Sequence, residues 1–271
     1  MSRAQSGTGH DPFEGVTVDG MITTGARRSR MPIEFRPVIE KAVERLNAIG
    51  RTHSLYVYGS VATGSARVGS SDVDLVAIGL DGATSRELGR TLTAEFPGIC
   101  RGVEIGSAQL ADYEGPGDEA YGNRVFLRHY CVHLVGPDAA QSLPEFPADR
   151  AAARGFNGDI GLCAERWRAE VSRAAAPAML GRRIARKTLL AVAGLVSIHD
   201  TTWTTDRLAA ARRWAEVEPR LAAPLAMLVA WGSGGKAGPS RSEVEGALDD
   251  VVAEVVNEFE SRIGLWSSQG V

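Results

Sequence analysis

The sequence predicts an α+β chain: a first half in which short apolar runs alternate with helical patterns, then a second half that is helical throughout. Three observations carry this reading. Runs of strand length stand at Leu55–Tyr58, Asp72–Ile78, Ile99–Ile105 and Tyr130–Val135, with Gly, Pro or Asp signals near most of their ends. Helical spacing fills two of the intervals around them. Beyond about residue 149 the strand signal stops and apolar residues recur at helical spacing.

In chain order, Pro32–Asn47 reads as a helix, with Ile33, Val38, Ile39, Val43 and Leu46 on one side and Gly50 just past its end. Thr84–Phe96 is a second helix, following the Asp81-Gly82 turn signal and ended by Pro97-Gly98. Asp112–Asp118 is a polar loop, Ala120–His129 a short helix, and Gly136-Pro137-Asp138 closes the fourth strand. Helices are then expected at Asp149–Ala174, Ala178–His199, Asp206–Val217, Pro219–Trp231 and Ser240–Ile263, with a flexible connection at Gly232–Pro239. The expected organisation is a flexible tail over 1–31, a mixed α/β domain over 32–142, a proline-bearing linker over 143–150 and a helical domain over 151–271. The tail is rich in Gly, Ser, Thr and Arg without an apolar core, and Arg27-Arg28-Ser29-Arg30 is expected to be solvated.

Composition narrows the function. The 271 residues carry a net charge of −3 and are 44% hydrophobic, so an ordinary core is expected. An acidic chain is a poor match for a dedicated nucleic-acid binder, and a nucleic-acid partner is not expected. The three cysteines form no C-x-x-C pair, which points to neither a zinc site nor a disulfide framework, and a reducing cytoplasm is the expected setting. No apolar stretch is long enough to span a bilayer. A monomer is expected.

The chemistry concentrates in residues 55–78. An apolar strand breaks at Gly59-Ser60, small residues follow with glycines at 64 and 69, and a second strand opens on Ser71-Asp72-Val73-Asp74-Leu75. Asp72 and Asp74 fall on one strand face, where their mutual repulsion calls for a positive charge. Mg²⁺ takes oxygen ligands and is often shared between carboxylates and substrate phosphates. A glycine at the preceding turn lets backbone N–H groups approach a phosphate, and the Ser60 hydroxyl adds a donor.

Gly59-Ser60, the further glycine Gly64 and Ser71-Asp72-Val73-Asp74-Leu75 together resemble the signature of the DNA-polymerase-β-like nucleotidyltransferase superfamily. The apolar-Glu-apolar pattern at Val103-Glu104-Ile105, the close at Gly136-Pro137-Asp138 and the His199–Asp206 segment resemble the streptomycin/spectinomycin adenylyltransferases. That resemblance implies an N-terminal polymerase-β-like domain followed by a C-terminal helical bundle. It implies two Mg²⁺ ions held by Asp72, Asp74 and Glu104, with Glu104 also taking the acceptor's proton. Gly59, Ser60 and Ser71 would bind the nucleotide, joined by a basic residue of helix 178–199, Lys187 first and Arg183 second. The implied reaction transfers AMP from ATP to a hydroxyl of a small polar acceptor, an aminoglycoside being one candidate, and releases pyrophosphate. The alternatives are an antitoxin-like enzyme that adenylylates a protein and a catalytically silent nucleotide-binding module. Trp203 is expected either to wall the acceptor pocket or to fill core.

Overall fold

The computed structural model describes residues 11–50, 52–174, 176–234 and 238–266. The chain divides into two compact units: one of residues 1–14, 23–115 and 123–145, the other of 15–22, 116–122 and 146–271. Among the described residues no helix is long and apolar enough to cross a membrane.

Residues 11–31 are not a free tail. They carry the short strands β1 (Gly15–Val16) and β2 (Ile22–Thr23), which pair with each other. Ile22 is buried, and its N–H donates to the Phe146 carbonyl at 2.9 Å. Arg27, Arg28 and Ser29 of the basic run are exposed, as expected, yet Arg28 donates to the His133 carbonyl at 2.5 Å, and Arg30 lies 3.4 Å over the Phe13 ring. A guanidinium carries several donors and a flat face, so one arginine can serve backbone carbonyls or an aromatic ring. The first ten residues of the expected tail lie outside the described residues.

In the first unit, α1 (Arg36–Ile49) ends on Gly50 in the left-handed conformation, φ 69°. β3 (Ser54–Tyr58) follows, then the one-turn α2 (Gly59–Thr63) and β4 (Val73–Ile78). α3 (Gly82–Glu95) starts earlier than its apolar spacing suggests, because the Asp81 carboxylate accepts from the Ala83 and Thr84 amides and so caps it. β5 (Val103–Ala108), the part of α4 (Asp118–Tyr130) from residue 123 onward and β6 (Val132–Val135) complete the set. The sheet order is β5-β4-β3-β6, with β4 and β5 parallel and the other pairs antiparallel.

The sheet's two faces differ. Leu55, Val57, Val73, Leu75, Ala77, Val103 and Ile105 join α1 and α3 residues in one large core. The alternate residues, Tyr56, Val76, Ile78 and Ala108, meet Leu127 of α4 in a smaller one. Alternation by two therefore dedicates one sheet face to packing and leaves room for polar groups on the other.

The second unit is helical. The expected Asp149–Ala174 helix is two, α5 (Arg150–Asn157) and α6 (Ile160–Val171). Trp266 makes the break: its ring nitrogen donates to the Arg154 carbonyl at 2.8 Å and its amide to the Gly158 carbonyl at 3.0 Å. A Cβ at Gly158 would stand 2.4 Å from that ring. α7 (Pro177–His199) is the central, mostly buried helix. Around it come α8 (Arg207–Val217), α9 (Ala222–Gly232), α10 (Arg241–Ala247) and α11 (Ala253–Arg262). A π-helical turn at Leu248–Val252 joins the last two, interrupting the single helix expected over 240–263. The expected linker is packed: Leu143 joins the smaller core beside the sheet, and Phe146 is buried. The centre of the glycine-rich connection lies outside the described residues.

Candidate active site

The polar sheet face of the first unit brings together three strand positions in one row. Tyr58 of β3 pairs with Asp74 of β4, and Asp74 pairs with Glu104 of β5. Partners in register project to the same face, so the two carboxylates and the phenol stand side by side. Burial and the nearby charges of Asp74 and Glu104 push the Tyr58 hydroxyl's pKa up, which keeps it protonated at neutral pH. Glu104 is exposed and borders a cavity of about 360 Å³, shared with Tyr58, Ser85, Arg86 and Gly106.

Gly59 is the hinge of this arrangement. It sits at φ 68°, and a Cβ there would lie 2.6 Å from Asp74 Oδ2. Only glycine combines that backbone angle with so close an approach of a carboxylate. Ser60 follows in the one-turn α2, and its carbonyl accepts from the Ser65 and Ala66 amides, closing the loop toward Gly64. Ser71 braces the loop locally. Its hydroxyl accepts the Arg67 amide at 2.9 Å, and its carbonyl accepts the Arg101 amide at 3.0 Å.

Asp72 lies one residue before β4. Arg101 grips it, with Nε donating to Oδ1 at 3.0 Å and Nη2 donating to Oδ2. That bond chiefly raises the arginine's pKa, with smaller attractions from Glu104 and Asp74. Among the described residues no group of three His, Cys, Asp or Glu side chains is placed so that it could hold a metal ion. The donor chemistry of Asp72, Asp74 and Glu104 is nevertheless of the kind a hard divalent cation takes. All three supply carboxylate oxygens, and Asp72 already pairs with a positive group, the Arg101 guanidinium.

The two cations expected to reach phosphate belong to the second unit and are paired there. Arg183 donates to Glu170, and Lys187 lies 2.6 Å from Asp159 and donates to the Phe156 carbonyl at 3.2 Å. Lys187 also lines a cavity of about 80 Å³ with Asn157, Ser197, Trp203 and Thr205. Trp203 is at once buried and part of that wall, edge-on to Phe156 at 5.7 Å. A different trio carries no ion pair among the described residues: Arg182 and Arg186, one turn apart on α7, and Arg207, which opens α8. Burial lowers the Arg207 pKa most, and the positive charges of Arg186 and Arg182 lower it further, against some support from Asp206. The i, i+4 spacing of Arg182 and Arg186 is legible in the sequence. Arg207 joins them only through the packing of α7 on α8. Tyr58 and Arg101 are further site residues that the sequence motif does not mark, although Tyr58 falls directly before the Gly-Ser turn.

The family model described as a nucleotidyltransferase domain matches residues 38–99, which run from α1 through the Gly-Ser turn and the paired aspartates to the end of α3. A comparison with curated proteins gives no match. Among solved structures the chain is similar to the spectinomycin adenyltransferase AAD(9) from Enterococcus faecialis, determined with ATP and spectinomycin. The identity is 10% and the TM-score 0.51, over 82% of this chain and 99% of that one. At that identity the likeness speaks for the fold, and it extends through the helical half as well as the sheet. Residues 38–99 thus match a nucleotidyltransferase domain, and the chain that carries them shares the fold of that adenyltransferase.

Proposed function

We propose that the chain transfers AMP from ATP to a hydroxyl of a small polar acceptor of the aminoglycoside or aminocyclitol class. The observation that carries this reading is the row Tyr58–Asp74–Glu104, with Asp72 just upstream. Asp72 and Asp74 would hold Mg²⁺, and Glu104 would share a second ion or act alone as base. When bound, the metal would neutralise the phosphates and favour departure of pyrophosphate.

The chain's own groups do the rest. Glu104, exposed at the cavity, accepts the acceptor hydroxyl's proton as that oxygen attacks the α-phosphorus. The new P–O bond forms as the bond to the pyrophosphate oxygen breaks, and both electrons leave with pyrophosphate. Tyr58 remains protonated and presents a neutral hydroxyl beside the two acids. Gly59 lets the Asp74 carboxylate lie against the backbone, and Ser60 supplies a hydroxyl at the same turn. In the helical unit, Arg182, Arg186 and Arg207 are a better anion-binding group than Arg183 and Lys187, whose charges Glu170 and Asp159 already offset.

Coverage of nearly the whole adenyltransferase chain, helical half included, favours a small acceptor over the protein substrate of a compact antitoxin-like enzyme. The test incubates the protein with MgATP and a panel of aminoglycosides and aminocyclitols, reading AMP addition by mass and pyrophosphate release. Addition that disappears in Asp74→Asn supports the reading. ATP binding with no product on the panel or on lysate proteins would favour the silent module.

A further inference from the structure

Arg101 stands where a metal would be expected to act. Its amide is fixed to the Ser71 carbonyl at 3.0 Å, which brings the side chain over Asp72. Nε and Nη2 then take one carboxylate oxygen each, a bidentate pairing that uses the strongest geometry a guanidinium offers. Next in the chain is Gly102, where a Cβ would come within 3.3 Å of Asp72 Oδ1, so the short glycine helps the two groups meet. The Asp72 side chain is 18% exposed and that of Arg101 is 59% exposed. The aspartate is fixed in the site, then, and the arginine can swing into water.

We propose that Arg101 is the site's built-in counter-ion, competing with the divalent metal for Asp72. The inference rests on the metal-binding role given above to Asp72 and Asp74. With the guanidinium seated, the repulsion between the carboxylates is relieved without metal. To use Asp72, a divalent ion must displace two charge-assisted hydrogen bonds and tolerate a nearby positive charge. Bare metal therefore binds weakly. A triphosphate, which brings its own negative charge, removes that disadvantage by giving the displaced guanidinium a new partner. Arg101 makes metal occupancy depend on nucleotide.

The test is a Mn²⁺ titration of the nucleotide-free protein, with free Mn²⁺ read by electron paramagnetic resonance and folding checked by circular dichroism. Arg101→Gln should bind Mn²⁺ about fivefold more tightly than the wild type, the order expected when a partly exposed ion pair is removed. Arg101→Lys, which keeps the charge but loses the fork, should fall between them. Equal or weaker Mn²⁺ binding by folded Arg101→Gln overturns the proposal, provided Asp74→Asn still abolishes binding. If Asp74→Asn leaves Mn²⁺ binding untouched in both backgrounds, the metal site itself is misassigned and the counter-ion role falls with it.

Discussion

The two units place their charged groups by different physics. In the sheet unit, strand register fixes Asp74 opposite Glu104 and Tyr58, and any error of one residue would send a carboxylate into the core. In the helical unit, α7 carries Arg182, Arg183, Arg186 and Lys187 within six residues, and only the packing of neighbouring helices decides which are neutralised. Glu170 of α6 takes Arg183 and Asp159 takes Lys187, while Arg182 and Arg186 lie near enough to Arg207 for their like charge to lower its pKa. Positions defined by covalent alternation are rigid, and positions defined by helix packing depend on distant partners.

The largest expected effect strikes the sheet unit. Asp74→Asn keeps the shape and removes the charge, and transfer of AMP should fall at least about 10³-fold while the variant still folds, as circular dichroism would show. A modest loss would mean that the row of acids is not where the reaction occurs. Gly59→Ala comes next. Its methyl would meet the Asp74 carboxylate at 2.6 Å on a left-handed backbone. We expect about 1–2 kcal/mol of lost stability and about 10² in rate, read by thermal unfolding and steady-state assay.

The helical unit should respond in binding. Arg207→Gln should weaken affinity for inorganic tripolyphosphate about tenfold, because it removes one charge-assisted contact. Arg183→Gln should change it by less than about threefold, since that charge is already matched. Calorimetry that showed the reverse order would restore Arg183 as the anion ligand. The smallest effect belongs to Asp200, whose bonds to Arg213 and His199 lower its pKa from 3.8 to about 2. A depressed carboxylate pKa stabilises the fold above the unfolded value, and the contribution is lost as pH falls toward about 2. The gap between wild type and Asp200→Asn should be full at pH 5, below about 1 kcal/mol for so accessible a pair, and mostly lost by pH 2. Denaturant titration at the two pH values checks it.

The same contrast explains what was legible in the sequence. Three of the strands, the Gly-Ser turn and the paired aspartates could be read because alternation by two and glycine's backbone freedom leave local marks; the third strand, expected over Ile99–Ile105, instead runs Val103–Ala108. Glu104 could be placed because an acid between Val103 and Ile105 must face away from their core. Arg101 left no such mark, since its meaning depends on the strand beside it. The break at Gly158 depends on Trp266, more than a hundred residues later, so the local pattern read as one continuous helix. Residues 11–31 read as a tail because their few apolar groups find partners only in the folded chain. The trio of Arg182, Arg186 and Arg207 stayed hidden for the same reason.

The pairing of Asp74 with Glu104 also limits how such a protein can change over generations. A sheet behaves as a ruler with two-residue divisions: adding or deleting a single residue between Gly102 and Glu104 would point the acid at the buried side and bring Val103 to the surface. Length changes in β5 should therefore survive only in even steps. Novelty in acceptor choice should accumulate in the loops beyond the ends of the strands, where an inserted residue costs nothing in register.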